Sequence, residues 1–391
     1  MADDLPYDPA DAQNRQQPED PRDYVPASPL PLLPAVTAAA PLDRSRHLLG
    51  FASEVLPDEV EALAVSRFPG AHWDVAPEGI DLISAPGRWA RPGEPGVLRL
   101  TAGTVLVGPY APQFTDGFAT GLPDRTDYVF DVTSARERGE PPYPGGGDRD
   151  GLGRAFPVGI PTGEEGIVVD WLVAAARRLA GAVRIDLGGA VTADVTLVPE
   201  PDANVDLTIY TDVWLEPEAA QTLVRQVEPS AHLAIAGVEW EGPPGIAYDP
   251  AALGIVELSE DQVRAVQHAA DEVDMAALSQ PMTLEGYAVL VDLGPDGVVA
   301  VEVGAEPIVP LALQGLPWTV GGALAYHVRW EAPDLEGSQR EEPPLAHVLA
   351  RTRALGVVGE VAAALQHAVG GEVADEDGFL VGMAELEQEI E

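Results

Sequence analysis

The sequence predicts an α+β fold: two tandem copies of a strand-helix-strands-helix unit with mainly antiparallel sheets, preceded by a disordered Pro-rich tail. Three observations carry this. Short runs of alternating or continuous apolar residues and longer runs with helical spacing follow one another in the same order twice. Residues 57–75 align without gaps to residues 217–235 at an offset of 160, pairing Pro57 with Pro217, Leu63 with Leu223, Pro69 with Pro229, Ala71 with Ala231 and His72 with His232. Two more matches keep that order: Arg138-Gly139-Glu140-Pro141-Pro142 with Arg340-Glu341-Glu342-Pro343-Pro344, and Leu179-Ala180-Gly181-Ala182-Val183 with Val369-Gly370-Gly371-Glu372-Val373.

Residues 1–45 hold nine prolines, clustered acids and no sustained period, so they read as the tail. Within it Pro29-Leu30-Pro31-Leu32-Leu33-Pro34 has the composition to dock extended on an aromatic groove or on its own domain, with a solvated linker as the plainer reading. The first repeat, 46–200, opens with a strand at Leu48–Ala52. Pro57-Asp58-Glu59 then starts a helix through Arg67, because proline and acids belong in a first turn. Residues 97–100 and 104–107 form a hairpin across Ala102-Gly103, Tyr128–Val132 is a further strand, and Gly-rich loops lead to a helix over 164–180. In that helix Ile167, Trp171, Leu172, Ala175 and Leu179 make one core-facing stripe.

The second repeat, 201–383, begins with a strand at Leu207–Tyr210, and Pro217-Glu218 opens its first helix. Strands at 287–291 and 298–303 flank the turn Gly294-Pro295-Asp296-Gly297, another strand covers 324–330, and a long helix runs from Pro344 to His367. A helical insertion near 258–275 starts at the capping box Ser259-Glu260-Asp261-Gln262. Residues 384–391 read as an acidic tail, frayed at the end.

Composition narrows function by exclusion. The 64 acidic residues against 22 basic ones give a net charge of −42, which repels nucleic-acid phosphates and anionic lipid. No apolar run is long enough to span a bilayer, and the acidic N-terminus lacks a secretory pattern, so a cytoplasmic location is expected. Cysteine is absent, which removes disulfides, thiolate nucleophiles and Cys-ligated metal. Lysine is absent too, since every basic residue is Arg, and with it go Schiff-base chemistry and the P-loop cation. Codon bias explains the lysine gap most simply; selection against a lysine-directed modification is the sharper reading.

Few residues stand out as site candidates. Asp148 and Asp150 lie in the loop Gly145–Gly153, which resembles part of a Ca²⁺ loop but lacks the remaining ligands at their spacing, so a flexible linker is the plainer reading. His72 and His232 are matched across the repeats and would meet at a shared site if the repeats face each other; otherwise each satisfies a local hydrogen bond at a strand start. Arg138 and Arg340 open the matched Pro-Pro segments, either as structural corners in which the Arg pairs with the nearby Glu or as a ligand-binding corner. The acid groups Asp375-Glu376-Asp377 and Asp202 with Asp206 are also expected by chance among so many carboxylates. No catalytic motif, cofactor motif or zinc spacing occurs. The expected function is therefore a non-enzymatic intracellular module that binds another protein, one with a basic surface. The competing expectation is a hydrolase or metal-dependent enzyme with carboxylate and His groups at the junction of the repeats.

Overall fold

The computed structural model describes residues 30–35, 43–78, 80, 93–186, 195–234 and 286–389. Two units emerge, Met1–Ala203 with Gln339–Pro343, and Asn204–Ser338 with Pro344–Glu391. Both are mixed α+β. The insertion expected at 258–275 lies outside the described residues. Among the described residues no helix is long and apolar enough to cross a membrane.

In the first unit the strands are β1 (Leu32–Leu33), β2 (Arg44–Phe51), β3 (His72–Val75), β4 (Gly96–Arg99), β5 (Val105–Phe114), β6 (Tyr128–Ala135), β7 (Ala182–Ile185) and β8 (Val195–Leu197). The helices are α1 (Pro57–Arg67), α2 (Leu152–Ala155) and α3 (Gly163–Arg178). The sheet order is β3-β4-β5-β6-β2-β7-β8, with β1 on β5. Every pairing is antiparallel except β1 with β5. Side chains alternate across each strand. One face therefore presents Leu49, Leu98, Leu106, Phe130 and Val183, all buried, on the side covered by α1 and α3. The other presents Leu48, Tyr110, Phe114 and Val129, which close around Leu33.

Two sequence expectations change here. Leu32–Leu33, inside the stretch read as a disordered tail, is a strand, because one buried leucine and a backbone ladder outweigh the proline-rich context. Ile167 is half-exposed and leaves the expected stripe; α3 is instead buried on most of its circumference through Val168, Val169, Trp171, Leu172, Val173, Ala175 and Ala176. An Ala-rich helix with this little bulk can be enclosed by sheet and neighbouring loops, so periodicity alone misassigns its rim.

In the second unit the strands are β9 (Leu207–Thr211), β10 (His232–Ala234), β11 (Gly286–Asp292), β12 (Val298–Glu306), β13 (Ala323–Glu331), β14 (Glu372–Asp375) and β15 (Leu380–Val381). Its helices are α4 (Pro217–Val227), α5 (Leu335–Ser338), α6 (Leu345–Val369) and α7 (Met383–Glu389). The sheet order is β10-β11-β12-β13-β9-β14-β15, antiparallel throughout. The core gathers Ile209, Val289, Val301, Tyr326 and Val328 from the sheet with Val224 of α4 and Val358, Val361 and Leu365 of α6. Each such buried side chain contributes about 1.5–3 kcal/mol. The C-terminal residues differ from the expected tail: Met383–Glu389 is helical, anchored by fully buried Leu386 in that same core.

Candidate functional site

A buried polar cluster sits on the helix-covered face of the first sheet. Alternation along β2 turns Ser45 and His47 inward beside Leu49, and both are fully buried. Glu165, in the first turn of α3, is fully buried opposite them. Its carboxylate accepts hydrogen bonds from the Ser45 hydroxyl and from the Glu137 backbone N–H at 2.7 Å, and pairs with the Arg138 guanidinium at 2.9 Å. His47 Nε2 lies 3.5 Å from the same carboxylate, too far for a well-formed hydrogen bond. His47 Nδ1 accepts the Asp186 N–H at 3.2 Å, and Asp186 in turn pairs with Arg136 at 3.1 Å. Burial pushes the Glu165 carboxyl up, yet the neighbouring His47 ring, the hydrogen bonds from Ser45 and the Glu137 N–H, and the Arg138 charge hold it below the usual range.

Ser, His and Glu in contact invite comparison with a nucleophilic triad, but the geometry is different. In a triad the imidazole takes the serine proton and the carboxylate orients the imidazole. Here the Ser45 hydroxyl donates directly to Glu165, and His47 spends Nδ1 on a backbone amide. All three side chains are sealed from solvent, so the cluster pins the start of α3 to β2. None of the three was singled out from the sequence. The available signal was a Ser and a His at core-facing positions of a strand, with a Glu at the third position of a helix.

The sequence-selected residues are placed as follows. His72 Nδ1 meets the Gly70 carbonyl at 2.7 Å and its Nε2 meets Asp74 at 3.0 Å; His232 Nδ1 meets the Ser230 carbonyl at 3.4 Å. Each ring is thus tied to the carbonyl two residues back. Asp148 accepts the N–H groups of Gly153 and Arg154 at 2.7 and 2.9 Å, capping α2. Asp150 takes Arg177 at 2.5 Å. Arg138 pairs with Glu165 rather than Glu140, because its guanidinium turns inward and stacks 4.4 Å over the Phe156 ring. Arg340 is exposed on Gln339–Pro343, where its neighbour Glu341 binds Arg154 at 2.5 Å. The acid groups of the second unit cap loops: Asp375 accepts the Phe379 N–H at 2.9 Å, Glu376 the Val205 N–H at 3.1 Å and Asp206 the Trp330 N–H at 2.8 Å. Among the described residues no group of three His, Asp or Glu side chains could hold a metal ion.

Two further features of the described residues bear on binding. On the outer face of the first sheet Leu33 fills an apolar socket, and Arg46, fixed by Asp131 at 2.7 Å, donates to the Pro34 and Ala35 carbonyls at 3.0 Å each. In the second unit the connection from β12 to β13 is apolar and exposed, with Ile308 and Val320 at 76% and 83% exposure. Beside it Pro307, Trp318 and Leu324 line an open hollow of about 500 Å³ with Asp212 and Glu306. No protein-family model, curated protein or solved structure matches the chain.

Proposed function

We propose that the chain is a non-enzymatic, cytoplasmic protein-binding module that engages a basic partner. The observation carrying this reading is the exposed apolar connection Pro307–Gly322. From Pro307 to Val328 no Asp, Glu or Arg occurs, in a lysine-free chain of net charge −42. Ile308 and Val320 stand exposed on this uncharged connection, and exposed apolar side chains on so charged a surface mark an interaction site. The hollow beside Trp318 suits an apolar side chain, while Asp212 and Glu306 suit a neighbouring Arg or Lys, which is the anchor-and-rim arrangement of protein interfaces.

Affinity capture from native lysate tests it, using the wild-type chain and the double substitution Ile308→Asp with Val320→Asp. The wild type is expected to retain one basic protein in stoichiometric amount and release it at high salt. The double variant should weaken that complex by about 10- to 100-fold, at 1.4 kcal/mol per tenfold. Recovery of no stoichiometric partner, or a partner indifferent to both substitutions, refutes the reading.

We also propose that the two units are copies of one ancestral unit. What supports this is the sheet order: replacing β2, β3, β4, β5, β6, β7 and β8 by β9, β10, β11, β12, β13, β14 and β15 converts one order into the other. The offset of 160 supports it at residue level. Val60 and Ala64 are the buried residues of α1, and Ala220 and Val224 those of α4.

A further inference from the structure

We infer that the outer face of the first sheet is a peptide-binding groove, occupied by the chain's own Leu30–Ala35, that accepts in trans an extended peptide carrying a leucine beside proline. The segment is held as a peptide ligand is held. Ala111 N–H donates to the Pro31 carbonyl at 2.8 Å and Thr115 N–H to the Leu33 carbonyl at 3.0 Å, so the segment adds to β5 as a parallel strand. Arg46 donates to the next two carbonyls, of Pro34 and Ala35. These contacts read carbonyl oxygens, which is why prolines, having no N–H, are accommodated. One side chain is read as well: Leu33 is fully buried among Leu48, Tyr110, Phe114 and Val129, whereas Leu32 beside it is half-exposed.

The receptor is built from groups that support one another without the segment. Arg46 is fixed by three contacts to Asp131, two at 2.9 Å and one at 2.7 Å, and the Phe114 ring lies 5.5 Å from the Arg46 guanidinium and 5.4 Å from that of Arg184. A preorganised groove lowers the ordering cost of whatever binds it. The second sheet lacks this socket. On the duplication reading the register places Thr208 where the first sheet has Leu48, Glu302 where it has Val107, and His327 where it has Asp131. An apolar socket is therefore not a requirement of the fold but a property of the sheet on which the segment lies. The groove and the Pro307–Gly322 surface share no residues, and either can fail without the other.

Leu33→Asn tests the inference in the full-length chain. Asparagine is close to leucine in size, is costly to bury there, and carries no charge for Arg46 or Arg184 to hold, so the segment should leave the groove. Fluorescence anisotropy with a labelled peptide of residues 29–35 is expected to show saturable binding to L33N about 100-fold tighter than to wild type, whose tethered segment competes at millimolar effective concentration. The same peptide with its anchor leucine changed to asparagine should not bind. A cooperatively folded L33N chain that binds no peptide overturns the proposal. Should L33N unfold, a protease site inserted after Val36 in the otherwise unaltered chain gives the second reading. After cleavage, excess labelled peptide must replace the N-terminal fragment on gel filtration, and a fragment that stays and admits no peptide overturns the proposal equally.

Discussion

Glu165 shows what a single buried carboxylate does in this chain. It collects Ser45, Arg138 and the Glu137 N–H, so truncation removes the acceptor shared by a fully buried hydroxyl and a partly buried guanidinium. Glu165→Ala is expected to lower stability by about 3 kcal/mol, as removal of one partner of a buried pair does, read from the urea midpoint. The pH dependence follows from the lowered carboxyl. A folded-state pKa below the unfolded value means that Glu165 stabilises fully above the unfolded value, near 4.5, and loses that contribution as pH falls through the folded one. Wild type should therefore lose more stability than Glu165→Gln as the medium is acidified below about pH 4.5; parallel midpoint-against-pH curves for the two would refute this. The sequence did not disclose the residue, for a definite reason. Acids in a first helical turn are ordinarily read as complements to the helix dipole, and the partner that changes the reading, Ser45, is 120 positions away. Asp148 and Asp150 drew notice as a loop motif, whereas each has a helix-cap or ion-pair task.

At the scale of elements, the two helix-to-strand junctions test the backbone. The α3–β7 junction passes through Ala180, whose φ of 49° lies in the left-handed region, and the α6–β14 junction through Gly370 and Gly371 at 66° and 85°. Ala180→Gly relieves the positive φ at the cost of a more flexible unfolded chain, for an expected net gain of about 0.5–1 kcal/mol. Gly371→Ala does the reverse: a Cβ there would lie 2.0 Å from the Tyr210 carbonyl oxygen, so a loss of about 3 kcal/mol is expected. At Gly370 a Cβ would meet nothing within 4 Å, so the same change should cost only about 1 kcal/mol. Thermal unfolding of the three variants checks the ranking, and Gly371→Ala no worse than Gly370→Ala would contradict it. These junctions were legible as the matched strings Leu179-Ala180-Gly181 and Val369-Gly370-Gly371, just as Pro57 and Pro217 announced α1 and α4. The strand β1 was not, because a two-residue pairing has no period to detect and its flanking prolines argue against it. For α7, the acids that suggest fraying conceal the one leucine that anchors it.

At the scale of the molecule, 64 carboxylates and 22 guanidiniums set two effects of salt against each other. Screening weakens favourable pairs such as Arg99 with Asp74 and Arg353 with Asp296, but exposed pairs contribute little to begin with. Screening also weakens the repulsion among unpaired acids, which acts over the whole surface and grows with the square of the net charge. Repulsion therefore decides the sign: raising sodium chloride from about 0.01 M to about 1 M, which shortens the Debye length from roughly 30 to roughly 3 Å, is expected to raise the thermal midpoint of the free chain. The same salt must weaken a complex with a basic partner, since attraction between opposite charges is screened as effectively as repulsion between like ones. Peptide binding in the Leu33 groove, which rests on an apolar anchor and backbone carbonyls, should change little over that range. Calorimetry of the free chain, salt elution of the captured partner and anisotropy of the groove peptide thus carry three different signs from one variable. A midpoint that falls with salt would mean that the arginine pairs outweigh the surplus of acids, and would remove the electrostatic reason for expecting a basic partner.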